Sequence, residues 1–172
     1  MEKTEIISKF LHKIKDSPEV IYLLQGNIFA DYDRREIGIS NQLAIRAISQ
    51  TAGILDSDVV KEFKNRGDLG KAAEEIIQRK KQQKSLFSKK LSVERVLTTL
   101  RRLPSLEGKG TVGLKINLIV ELLHSATPRE AKYLMRTVLG DLKIGVGNGI
   151  LRDAIADYFF KPGNIEEKKI AV

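Results

Sequence analysis

Gly140, Lys143, Gly145 and Gly147 stand close together in the run Gly-Asp-Leu-Lys-Ile-Gly-Val-Gly, residues 140–147. Glycine has no side chain to shield its amide. Two bare N–H groups just ahead of a helix N-terminus form an anion site, strengthened by the positive end of the helix dipole. Lys143 adds a full charge, and Arg136 and Arg152 flank the run on the two sides. The chemistry these residues offer is non-covalent capture of a phosphate. The same glycines also suit a tight interhelical turn that only lets two helices pack, and the residues alone leave both readings open.

Two helices must position this run. The first opens at Thr127-Pro128-Arg129-Glu130, a capping box with Pro at the first helical position. Tyr133, Leu134, Val138 and Leu139 then recur at helical spacing. Gly140 stands where a helix commonly ends, because glycine enters the left-handed region without strain. Leu142–Val146 alternates briefly in the manner of a strand. Asn148 is expected to cap the second helix, with Ile150, Leu151, Ala154, Ile155, Tyr158 and Phe159 on its apolar side. Locally the arrangement is similar to the helix–hairpin–helix motif, whose Gly-apolar-Gly turn grips a nucleic-acid phosphate.

Other candidates are weaker. Leu106-Glu107-Gly108-Lys109-Gly110-Thr111 superficially suggests a nucleotide-binding P-loop. It fails because Leu103 replaces the first glycine and Gly110 follows Lys109 where Ser or Thr is needed. A glycine-flanked lysine leading into a helix can still meet a phosphate. Arg79, Lys80, Lys81, Lys84, Lys89 and Lys90 form a basic run without an acid. It reads equally as a solvated helix end and as a phosphate-facing rim, with Phe87 as an anchor for the loop. Asp31-Tyr32-Asp33 does not continue as a calcium loop, because Arg35 and Glu36 occupy ligand and glycine positions. His12 and His124 have no companions that would make a metal site or general base. Asp153 and Asp157 share a helix face and read as a solvated edge.

The chain has 172 residues, 42% hydrophobic, with net charge +8 and pI about 9.6. That suits one domain with a core and a polyanionic partner. There is no cysteine, which excludes disulfides and thiolate metal sites and fits a reducing cytoplasm. The N-terminus lacks the order of a signal peptide, and no apolar run approaches the ~20 residues of a membrane span.

In chain order, Ile6, Ile7, Phe10, Leu11 and Ile14 predict a first helix, broken at Asp16-Ser17-Pro18. Glu19 to Leu24 predicts a second, and 27–39 an irregular stretch. Ser40 is expected to cap a helix through Ile54 with Leu43, Ala44, Ala47 and Ile48 inward. Asp56 is expected to cap the next, with Val59, Val60 and Phe63 inward, closing at Gly67. Asp68 begins a helix through Lys81. Ser92 begins one through Leu103, with Val93, Val96, Leu97 and Leu100 inward, stopped by Pro104. Leu114 to Leu123 is apolar on most sides and predicts a central buried helix. A final helix start at Asn164 is cut off by the end of the sequence at Val172. The fold class is all-α, a bundle of roughly nine to eleven helices by this periodicity.

Glu130-Ala131-Lys132-Tyr133-Leu134, residues 139–147, Asp153-Ala154-Ile155-Ala156, Gly67-Asp68-Leu69-Gly70 and Phe160-Lys161-Pro162-Gly163-Asn164-Ile165-Glu166-Glu167 together resemble the N-terminal DNA-binding domain of ATP-dependent DNA ligases, the archaeal enzymes most closely. Their order covers essentially the whole chain. The resemblance implies one helical domain over 1–172 that lies along the minor groove at a nick in duplex DNA, in replication, repair and recombination. By matching, the family's contacts fall on Gly140, Lys143, Gly145 and Gly147, and the loop contacts on Lys109 and Lys115. Asp141 departs from relatives with a basic residue there and would face phosphate unfavourably.

No Asp in the sequence is followed by Gly, so the family's Lys-x-Asp-Gly nucleotidyl motif is absent. The resemblance therefore implies a chain inactive alone, without its own cofactor. Its expected partners are nicked DNA and the adenylation and OB-fold domains of a parent ligase that uses ATP and Mg2+. A sliding clamp is a further candidate partner. The alternatives are a free-standing helix–hairpin–helix nucleic-acid-binding protein and a helical protein-interaction scaffold.

Overall fold

The computed structural model describes residues 2–14, 19–30, 32–81 and 90–160. Over these the chain forms nine α-helices and one short 3-10 turn, with no strand. They are α1 (Glu2–Lys13), α2 (Glu19–Gln25), α3 (Asn41–Ala52), α4 (Asp56–Arg66), α5 (Leu69–Lys81), α6 (Val93–Arg102), α7 (Thr111–Ser125), α8 (Pro128–Val138) and α9 (Asn148–Phe160), with the 3-10 turn at Leu103–Ser105. The all-α class is as expected. Among the described residues no helix is long and apolar enough to cross a membrane. The break at Asp16-Ser17-Pro18, the loop anchor Phe87 and the helix start at Asn164 lie outside the described residues.

The helices group into two compact units, one within 26–143 and one formed from 1–25 with 144–172. In the first, α5 packs along α8, α3 packs against α7, and α4 joins α3 and α5. Small residues permit close approach: Ala44 and Ala47 on α3, Ala72 and Ala73 on α5 and Ala131 on α8 are fully buried. Gly70 sits at the tightest crossing, where a Cβ would lie 2.6 Å from the carbonyl oxygen of Lys132. Ile48, Val59, Leu100, Leu103, Ile119, Leu122 and Met135 fill the remaining core.

Local signals fix most helix ends here. Ser40 accepts from the Leu43 N–H at 3.4 Å, Ser92 from Arg95 at 3.2 Å and Asp68 from Lys71 at 2.8 Å. The capping box of α8 is complete: Glu130 N–H donates to Thr127 Oγ1 at 3.2 Å, and Thr127 N–H donates to Glu130 Oε2 at 2.6 Å. Asp56 differs from expectation. Leu55 takes the cap position of α4 with no side-chain bond, and Asp56 is the first helical residue. There it complements the helix dipole without capping an amide.

Two apolar stripes are narrower than their sequences suggest. On α7, Ile116, Ile119, Leu122 and Leu123 are buried, but Leu114 is 54% exposed, so only the later turns are central. On α6, Leu97 and Leu100 are buried and Val93 is exposed. The irregular 26–40 stretch contributes to the core through Ile28, Phe29 and Ile39. Arg101 Nε donates to the Ile28 carbonyl at 3.0 Å and ties this stretch to α6. Asp33 accepts from Arg35 at 2.6 Å, and the Arg35 guanidinium stacks 4.3 Å from the Phe29 ring centre.

Two cations of the basic run, Arg79 and Lys80, are used within the fold. Arg79 pairs with Glu62 and Glu75, both at 3.2 Å. Lys80 Nζ donates to the Thr51 carbonyl near the end of α3. Residues 82–89 lie outside the described residues. Burial, with Lys80's charge added, pushes the His124 imidazole down.

In the second unit, Ile7 and Leu11 on α1 meet Leu151 and Ala154 on α9. Ile14, Ile21, Leu24, Val146, Ile150, Ile155 and Tyr158 surround them. Ile6 belongs to the apolar stripe of α1 by spacing, yet it is 59% exposed. The His12 ring packs against Tyr158 at a tilt of 60°, with centres 4.6 Å apart.

Candidate phosphate-binding surface

α8 ends in a Schellman turn. The Asp141 N–H donates to the Arg136 carbonyl at 2.9 Å, and the Gly140 N–H to Thr137 at 3.1 Å. Gly140 takes φ +70°, and nothing lies within 4 Å of where its Cβ would be. Its amide is used inside the turn, so Gly140 shapes the exit from the helix. Lys143 follows at φ 54°, the one non-glycine residue with positive φ among the described residues. The strand-like alternation of 142–146 is thus irregular backbone bent at Ile144, with left-handed conformation at Lys143 and Gly145.

In the 26–143 unit, charge converges on Asp68. Its carboxylate is 3.2 Å from Arg136 Nη2 and 3.2 Å from Lys143 Nζ. Arg136 is only 8% exposed. Its Nε also donates to Asp68 Oδ1 at 3.3 Å, and its Nη1 reaches the Leu142 carbonyl at 3.5 Å. Arg136 is therefore an internal strut that fixes Asp68 and the turn, with little charge presented to solvent. Burial pushes the Asp68 carboxyl up, but the Lys71 amide, Arg136 and Lys143 together outweigh it and hold the carboxyl at about 2. Asp141, 59% exposed at its side chain, is 2.9 Å from Lys143 Nζ. Pairing with Asp141 and then Asp68 pushes the Lys143 ammonium up, so it stays charged. These groups line a shallow depression of about 290 Å3 with Phe63, Gly67 and Leu139.

The same unit carries Lys109 and Lys115. Lys109 is exposed between Gly108 at φ 96° and Gly110 at φ 91°, immediately before α7. Gly110 caps α7 without a side-chain bond, and the first turn of α7 has no acid. That leaves the positive end of the helix uncompensated. Lys115 is half-buried, with Nζ 3.7 Å from the position of a Gly38 Cβ.

The other unit holds Gly145, Gly147 and Arg152. Among the described residues neither glycine N–H has a hydrogen-bond acceptor. The α9 first turn contains no acidic residue. Leu151 N–H donates to the Gly147 carbonyl at 3.1 Å, which places Gly147 at the cap. Asn148, expected as the cap, is the first helical residue, and its Oδ1 accepts from Gln25 Nε2 at 3.0 Å. Arg152 is 80% exposed at its side chain and pairs with Asp153 at 2.9 Å. A cation missed by sequence reasoning joins them: Lys3 Nζ donates to the Gly145 carbonyl at 3.1 Å. A separation of 142 residues leaves no local signal for that contact.

Each unit by itself offers groups suited to anionic oxygens: exposed ammonium groups and the acid-free α7 N-terminus in the 26–143 unit, and open glycine amides with the acid-free α9 N-terminus in the other. The DNA ligase N terminus family matches residues 1–156. The chain is 38% identical over 168 residues to a DNA ligase of Thermococcus fumicolans, covering 96% of this chain and 30% of that protein. It is 39% identical over 161 residues to a DNA ligase of Methanothermobacter thermautotrophicus, 92% and 29% respectively. It is 43% identical over 158 residues to a DNA ligase of Nanoarchaeum equitans, 91% and 28% respectively. The chain thus spans about three tenths of the length of these relatives. With that match and these helices, the chain belongs to the family of DNA ligase N-terminal domains.

Proposed function

We propose that the chain binds nicked duplex DNA without sequence preference, as the DNA-binding domain of an ATP-dependent DNA ligase. The observation that supports this most is the family match over residues 1–156. The geometry supplies a physical route. Lys143, Lys109 and Lys115 in one unit, and Lys3, Arg152 and the amides of Gly145 and Gly147 in the other, are groups that take phosphate oxygens. Gly140 and Arg136 serve them by shaping and holding the turn. Phosphate contacts position a protein on DNA and read no base. A ligase must act at any nick, so sequence independence suits it. The work is done where the genome is, in the cytoplasm.

Joining a nick requires nucleotide chemistry. Among the described residues no group of three or more His, Cys, Asp or Glu could hold a metal ion. Asp68 and Asp141, the acids at the candidate surface, are paired with cations. With no Asp followed by Gly in the sequence, the family's Lys-x-Asp-Gly motif is absent, and ATP and Mg2+ chemistry is assigned to adenylation and OB-fold domains of a parent chain.

Fluorescence anisotropy with two nicked duplexes of unrelated sequence tests the reading. Equal affinities that fall steeply as salt rises are expected, each neutralised phosphate adding about −0.9 to the slope of log K against log salt. A strong preference for one sequence, or no binding at low salt, would contradict it.

A further inference from the structure

Lys143 is the exposed cation at the end of the α8 turn, and in the free protein it is already occupied. Asp141 lies 2.9 Å from its ammonium and Asp68 3.2 Å. With Arg136, the cluster carries two positive and two negative groups, so the turn presents no net charge to an approaching phosphate. The two acids are not equivalent. Asp68 is buried, accepts the Lys71 N–H and is held by Arg136, so it keeps its partners when Lys143 leaves. Asp141 is 59% exposed, and its Lys143 contact is a surface pair of the kind that contributes little to stability. Of the two, the Asp141 contact is the one a phosphate can displace.

We propose that Asp141 is an internal competitor for the DNA phosphate at Lys143, occupying the place of a phosphate oxygen until DNA displaces it. The inference rests on the nicked-duplex reading above. Displacement does not remove the acid. The Asp141 backbone is pinned by its N–H bond to the Arg136 carbonyl, and only one residue separates it from Lys143. Its carboxylate therefore stays beside the bound phosphate and repels it. The Lys143 backbone, by contrast, is set by the turn, and Asp68 keeps the ammonium anchored without Asp141. Loss of the Asp141 charge frees the cation without unseating it.

The test uses the full 172-residue chain and a nicked duplex of arbitrary sequence at low salt. Asp141→Asn should bind roughly threefold to tenfold more tightly than wild type. Asp58→Asn, the same charge change at an exposed site on α4, should change affinity by less than about twofold. The gain from Asp141→Asn should fall to the level of that control in a Lys143→Ala background, and it should shrink as salt rises. Thermal melting of each variant checks that the fold is kept. Unchanged or weaker binding by Asp141→Asn, or an equal gain without Lys143, would overturn the inference while leaving the DNA-binding reading in place. Absence of wild-type binding at low salt would overturn both.

Discussion

Asp68→Ala is expected to lower the stability of the fold by about 3–5 kcal/mol, the range for removing one partner of a buried ion pair. The cost comes mainly from what remains. Arg136, 8% exposed, would keep a buried guanidinium with the Leu142 carbonyl as its described acceptor. The α5 N-terminus would also lose the cap that accepts the Lys71 N–H at 2.8 Å. Urea denaturation at neutral pH measures the loss. Asp68→Asn should fall between the two, since an amide oxygen can cap the helix but cannot neutralise Arg136. The same carboxylate makes stability depend on pH. Its folded value of about 2 lies below the ordinary 3.8. The stabilisation is therefore fully present above pH ~4 and is lost as pH falls toward 2, about 2.5 kcal/mol in all. In Asp68→Ala this acid-dependent portion should be missing from a stability-against-pH profile. A variant within 1 kcal/mol of wild type would mean that the α5–α8 pair is held by packing alone.

Gly70→Ala is the second large effect. The added methyl would sit 2.6 Å from the Lys132 carbonyl oxygen, 2.9 Å from Arg136 Cγ and 3.0 Å from Asp68 Oδ1. The first of these is backbone of the facing helix, so relief requires α5 and α8 to separate. Overpacking of this kind costs about 3 kcal/mol or more, and the better helix propensity of alanine returns only about 1. The expected net loss is roughly 2 kcal/mol, read as a lower denaturation midpoint at unchanged slope. Because Arg136 and Asp68 both border the site, the two variants should not add: the double variant should lose less than the sum. A neutral Gly70→Ala would show that the helices can part freely at this crossing.

Much of the fold is legible in the sequence because helix ends are local events. Ser40, Asp68, Ser92 and Thr127 cap where their side chains meet an amide three residues on, and Gly67 and Gly140 end helices with positive φ; α3, expected to run through Ile54, instead ends at Ala52 with Gly53 in the left-handed region. Asp56 and Asn148 are each one position off the cap. At Asn148 the reason lies in a distant side chain, Gln25, which takes its oxygen. Ile6 and Leu114 obey helical spacing but face solvent, because spacing marks a stripe without fixing how much of it a neighbour covers.

The candidate groups of each unit are legible in part. The glycines and Lys143 are local and visible. What the sequence hides is which cations the fold uses internally. Arg136 and Asp68 are 68 residues apart, and Arg79 and Lys80 each find a partner on another helix, Glu62 and Thr51. A basic run and a paired arginine look alike until the acids opposite them are placed. Lys3 is the converse case, a cation with no local motif that folding brings to Gly145.

The most direct test of the central claim is the salt dependence of nicked-duplex binding by Lys143→Ala beside wild type. If Lys143 neutralises a phosphate, the variant should bind more weakly at low salt, with a log–log slope shallower by about 0.9. Lys143 lies outside the helices, 45% exposed at its side chain, so the variant should remain folded. An unchanged slope and affinity in a folded variant would contradict the account, and the grip on DNA would have to lie elsewhere on the chain.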